Sequence, residues 1–252
     1  MTFRRIRFSR SVLLASCAGL ATLSATALTG AWAADLPASP DGAQKLLSFF
    51  AVYFGKQAPV TVTPASPGYA VSFDLAALTA PLKTQGFSYD SALLKYRLIE
   101  QDDGGWRVEQ TEIPPITVHS KDNTSSIAFT NVKTVTVFDP AIAWWRSSMG
   151  SADKLSLEAH APGVDETFEF NTMQMSGTGK ATSDGLASAV MRQTFAGTKA
   201  TIVATNKSDT DAKPTNINVH SDAATIDIAL DGVKSHALLD LWAFAVAHPT
   251  RP

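Results

Sequence analysis

Five histidines, His119, His160, His220, His236 and His248, are the natural first place to look for chemistry, and they are scattered along the chain. No two stand at the i, i+2 or i, i+4 spacing that would turn adjacent imidazoles toward one metal ion. His236 and Asp240 do share a helical spacing, which on its own yields a surface hydrogen bond. "SDTDAKPTNIN" gathers Asp209, Asp211, Asn216 and Asn218 but lacks the turn glycine and bidentate glutamate of a calcium loop, so it reads as a solvated turn. Ser151-Ala152-Asp153-Lys154 has the S-x-x-K spacing of a serine–lysine pair, yet it leads into a strand instead of opening a helix. "SGTGKAT", residues 176–182, has the look of a phosphate loop, but Gln174 stands where the first glycine is needed and no helix follows. There is no G-x-S-x-G elbow. No catalytic residue, metal set or cofactor motif emerges, and a hydrolase would have to assemble its site in three dimensions only.

Aromatic residues offer a different chemistry. "DPAIAWWRSS" has Asp139 at an N-cap position and Pro140 at N1, which predicts a short helix around 139–148. Neighbours on a helix point about 100° apart, so Trp144 and Trp145 are both core residues under the sheet if the helix is deeply seated; otherwise one packs and the other, beside Arg146, lines a groove or meets a partner. Trp106 follows the hairpin signal Asp102-Asp103-Gly104-Gly105 and is the fourth candidate contact residue. Such a set fits an apolar groove or a contact with another protein.

The amino terminus carries an export signal. Arg4, Arg5, Arg7 and Arg10 precede an apolar stretch from Val12 to about Leu28, and Ala31-Trp32-Ala33 ends it in small-x-small form. Cleavage after Ala33 is expected, leaving 34–38 as a short linker and 39–252 as one domain. "LLASC" offers the alternative of a lipoprotein anchored through Cys17, the one cysteine of the chain. That reading leaves an apolar region shorter than the usual ~7–15 residues before the cut. The expected location is the periplasm or outside, with no transmembrane segment after cleavage. Losing four arginines leaves 17 basic against 23 acidic residues, a net charge of −6 that argues against nucleic acid as a partner.

The elements that must position these residues follow from periodicity. "SPDGAQKLLSFFAVYFG" starts with a Ser39 cap and Pro40, stops at Gly55, and places Leu46, Leu47, Phe50 and Phe54 on one helical face. "SHALLDLWAFAVAHP" is apolar nearly all round, so this helix is expected to be buried from two sides, by the sheet and by either a partner subunit or the first helix. The first helix is favoured, because domain termini often lie close together. Between them run alternating strands with short polar turns, which means an antiparallel meander. Pro81 limits a helix in 75–85 to a short one. "SIAFTNVKTVTVF" alternates as one long strand with Ile127, Phe129, Val135 and Val137 in one phase. Phe168 and Phe170 are out of phase with Met173 and Met175; either a bulge near Asn171 or Thr172 returns both pairs to one face, or the sheet is covered on both faces there.

In arrangement the chain resembles uncharacterised alphaproteobacterial envelope proteins with a helix like "SPDGAQKLLSFFAVYFG", long amphipathic strands and a final helix like "LLDLWAFAVAHP". It also resembles, more distantly, periplasmic proteins of the AsmA and lipid-transfer type, whose curved sheets carry acyl chains. The resemblance implies a location and a fold style and brings no site residues. The expected class is therefore α+β: a large curved antiparallel sheet with amphipathic helices near both ends. The expected role is a non-catalytic periplasmic protein that binds on its sheet face; a hydrolase and a membrane-anchored structural lipoprotein are the alternatives.

Overall fold

A computed structural model describes residues 33–55, 59–80, 83, 86–182, 186–205 and 214–247. The export segment, Cys17, Asp209, Asp211 and His248 lie outside the described residues. The chain opens with helix α1 (Pro40–Phe54), capped by Ser39 Oγ, which accepts from Gly42 N–H at 3.0 Å, and ended by Gly55 at φ 88°. Gly42 is required by close approach, since a Cβ there would lie 1.9 Å from the Tyr69 hydroxyl.

Strands then follow in sequence: β1 (Val60–Pro64), β2 (Tyr69–Asp74), β3 (Ser88–Tyr89), β4 (Leu93–Glu100), β5 (Trp106–Gln110) and β6 (Ile116–Ser120). They continue as β7 (Asn123–Thr130), β8 (Lys133–Asp139), β9 (Trp144–Ala161), β10 (Val164–Ala181), β11 (Ala187–Ala204) and β12 (Thr215–Val233). A four-residue helix α2 (Leu75–Leu78) follows β2, and α3 (Ser235–Ala247) closes the described chain. All twelve strands form one antiparallel, open and curled sheet, as the alternating pattern requires.

β7 and β8 pair with the same side of β9 in one continuous register, Thr130 opposite Lys154 and Lys133 opposite Ser151. They are one long strand broken at Asn131, which has φ 52° and donates its side-chain amide to Asp153 at 2.7 Å. Beyond this line the sheet splits into two arms. One runs β8-β5-β4-β2-β1 and the other β7-β6-β3.

The break crosses the sheet. Thr172 in β10 has φ 47° and Gly197 in β11 has φ 92°, and the β10–β11 ladder skips from Phe170–Thr198 to Met173–Phe195. Each strand thereby gains one residue and changes phase, the effect of a bulge. Phe170 and Phe195 consequently meet with ring centroids 4.8 Å apart, in one core with Met173 and Ala152. The bulge read from the methionine and phenylalanine spacing is therefore where the sequence placed it. The single phase expected for "SIAFTNVKTVTVF" fails for the same reason: after Asn131, Thr134 and Thr136 are buried where Val135 was expected to be.

The sheet has an apolar and a polar face. α1 lies on the apolar face of the first arm, packing Ala43 and Leu46 against Val62, Tyr69 and Val71. Burying these side chains contributes on the order of 1.5–3 kcal/mol each, which makes this the anchor of the domain. The polar face carries cross-strand pairs such as Lys154 with Glu169, His160 with Asp165 and Thr201 with Asn218.

Two expectations are corrected. No helix occupies 139–148: Asp139 Oδ1 accepts from Ala141 N–H at 2.9 Å, Ala143 closes a turn at φ 48°, and Trp144 begins an 18-residue strand. A four-residue turn joins two strands that pair directly, Phe138 with Trp145 and Asp139 with Trp144, and this ladder replaces the few bonds a lone helical turn could form. α3 also differs from the doubly buried helix expected. Its start is tied down by Ser235 Oγ donating to the Ile142 carbonyl, and Trp242 Nε1 donates to the Tyr53 carbonyl of α1 at 2.8 Å. The favoured partner is therefore present, but Leu238, Leu241 and Trp242 stay more than half exposed because the helix is held from one side.

Candidate functional site

A groove of about 800 Å³ runs across the strand ends above the break. Its floor is built of two cross-strand rows on the polar face. One row is Val137, Ser147, Thr178, Val190 and Ala229; the next is Met149, Ser176, Arg192 and Asp227. Successive members stand directly opposite one another in register, so residues up to 92 positions apart in the chain share one surface. Ala33, the first described residue, forms one rim with Gln101 and Asp103 from the β4–β5 turn.

Gly179 shows how closely this end is packed. A Cβ there would fall 2.1 Å from the Trp145 carbonyl and 2.9 Å from the Trp144 ring, so only glycine lets β10 pass the tryptophan pair.

The charged groups at the groove are paired. Arg146 Nη2 donates to Asp103 Oδ2 at 2.6 Å, and Arg192 makes a forked contact with Asp227 at 2.6 and 3.1 Å. The Gly105 N–H, and after it Arg146, hold the Asp103 carboxyl below the usual carboxylate range. The Arg192 guanidinium does the same for Asp227, and in return its own proton is held more firmly than in an ordinary arginine. Among the described residues no three His, Cys, Asp or Glu side chains converge as metal ligands.

The four contact residues picked from sequence meet at this end of the sheet but divide between its faces. Arg146 lines the groove. Trp106, Phe138 and Trp145 form one cross-strand row on the apolar face, where Trp145 is edge-on to Phe138 at 5.3 Å and Trp106 lies 6.2 Å from Tyr69. Trp106 thus belongs to the α1 core, half-buried, and is a packing residue. Val190, Arg192 and Asp227 were not singled out, because nothing in a strand's own pattern announces which distant strand it will lie beside. No protein-family model, curated protein or solved structure matches this chain.

Proposed function

We propose that this is an exported, non-catalytic envelope protein that holds an apolar, lipid-like ligand in the groove on its sheet. One observation carries the reading. The groove is of the size that suits a small ligand (~300–1,000 Å³), its floor includes Val137, Met149, Val190 and Ala229, and its charged groups already neutralise one another in pairs.

Export and processing have a support of their own. Ala34 N–H lies 3.0 Å from Asp102 Oδ1, and the Ala34 carbonyl accepts from Asp102 N–H at 2.9 Å. Cleavage after Ala33 converts this amide into an ammonium group with three protons. The Asp102 carboxylate stands beside it, so the fold can seat a chain that begins at Ala34, at the cost of the Ala33 carbonyl that accepts from Gln101 Nε2 at 3.3 Å.

The test is titration of the mature protein with a fluorescent long-chain fatty acid. Saturable binding is expected, weakened at least about tenfold by Val190→Glu, which sets a carboxylate among the apolar side chains Val137, Met149 and Ala229 of the floor. Val190 is 56 % exposed, so the variant keeps its fold. Absence of saturable binding, or equal binding by the variant, contradicts the reading.

A further inference from the structure

β12 is a 19-residue strand bonded to β11 along one side, and no described strand pairs with its other side. Free edges are normally blunted by lysine, proline, bulges or shortness. "TNINVHSDAATIDIALDGV" contains no lysine, arginine or proline, and Ile217, Val219, Ile226, Ile228 and Leu230 are 38–55 % exposed along it.

The break that crosses the sheet gives this strand an unusual symmetry. Before Asp222 its apolar residues are odd-numbered, Ile217 and Val219, whereas after Ala223 they are even-numbered, Ile226, Ile228 and Leu230. Their β11 partners place both sets on the apolar face: Ile202 and Ala200 below the break, Gln193, Met191 and Ala189 above it. Ala224, in the upper set, packs against the Met173 core. A strand whose phase inverts at its centre is self-complementary about that centre.

We propose that β12 pairs antiparallel with β12 of a second copy, about a two-fold axis between Asp222 and Ala223. In this register Ile217 of one copy lies opposite Ile228 of the other, Val219 opposite Ile226, and Ser221 opposite Ala224. On the polar face Asn218 meets Asp227, and His220 meets Thr225. No two like charges stand directly opposite, the condition for a stable ladder. The two Asp222 residues flank the axis, each beside its own His220 at 3.1 Å. A register shifted by one residue would set each apolar side chain against the polar face of its neighbour.

The pairing joins two sheets into one and completes the groove. Asn216 and Asn218 of the second copy fall beside Ala229 and Asp227, where a single copy leaves the groove open. The proposal stands on the strand's pattern and not on the ligand, so each can fail alone.

The test uses mature protein from Ala34, which lacks Cys17 and so any native thiol. Light scattering should give twice the monomer mass, and Val219→Lys should give a monomer with unchanged circular dichroism. The double variant Asn218→Cys/Asp227→Cys should oxidise to a covalent dimer. Neither single variant should, because like positions lie about 30 Å apart in this register. A monomeric parent protein overturns the proposal. So does a dimer that the double variant fails to lock, or that either single variant locks equally well. Should Val219→Lys not fold, the cross-link pattern decides alone.

Discussion

β1 and β12 are the two ends of the main path through the sheet, and they are built in opposite ways. β1 has five residues, ends in Pro64, and sends Val62 into a core under α1. β12 has nineteen residues, no proline, and a row of exposed aliphatic side chains. The first edge is closed by length, by chemistry and by a helix; the second has none of these devices. An edge can be left bare where something is meant to lie against it, and the contrast fits the proposed groove and pairing edge in the β9–β12 half of this molecule. The α1 half is its foundation.

The largest effect is expected on the closed side. Leu46→Ala should cost about 2–4 kcal/mol in urea unfolding, because the ring of contacts with Val62, Tyr69 and Val71 cannot collapse around the space. Ile228→Ala, on the bare side, should leave monomer stability within about 0.5 kcal/mol while weakening self-association. Equal losses at the two positions would erase the distinction between the edges.

The break sets the phase of β12 and comes next. Gly197→Ala should destabilise by about 1–2 kcal/mol, since φ 92° disfavours any Cβ even where, as here, the nearest atom is 3.4 Å away. Thr172→Gly should be neutral or slightly stabilising, because a threonine at φ 47° already bears that cost. A stability loss at Thr172 would mean its side chain does more than tolerate the bend.

Smaller changes belong to the charges. Asp103 has its carboxyl held low by the Gly105 N–H and Arg146. Its contribution is thus complete above the ordinary carboxylate range and fades as pH falls through its lowered value. Asp103→Asn should therefore lower stability slightly at neutral pH, and its difference from the parent should vanish as pH falls, flattening part of the acid limb. Arg192→Ala should leave the melting temperature as it is, because the pair with Asp227 is solvent-exposed.

How much of this was legible in the sequence depended on how local each signal is. α1 has the bounds that Ser39, Pro40 and Gly55 mark, since caps act within one turn. The β4–β5 hairpin sits on Asp102–Gly105, and the bulge at Thr172 was visible as a parity change. The Trp144–Trp145 pair misled, because Asp139-Pro140 begins a capped turn as readily as a helix, and the choice was made by the β8 and β10 ladders on either side. Of the groove, Arg146 alone was anticipated. Thr178, Val190, Arg192 and Asp227 converge through register, a long-range property that no single strand carries.

The most direct test of the whole account is native mass spectrometry of the protein released without detergent from its own cell envelope. A mass beginning at Ala34, two copies per particle and an apolar molecule retained on each is the predicted result. A lipid-modified chain beginning at Cys17, present as a single copy with nothing bound, would contradict it.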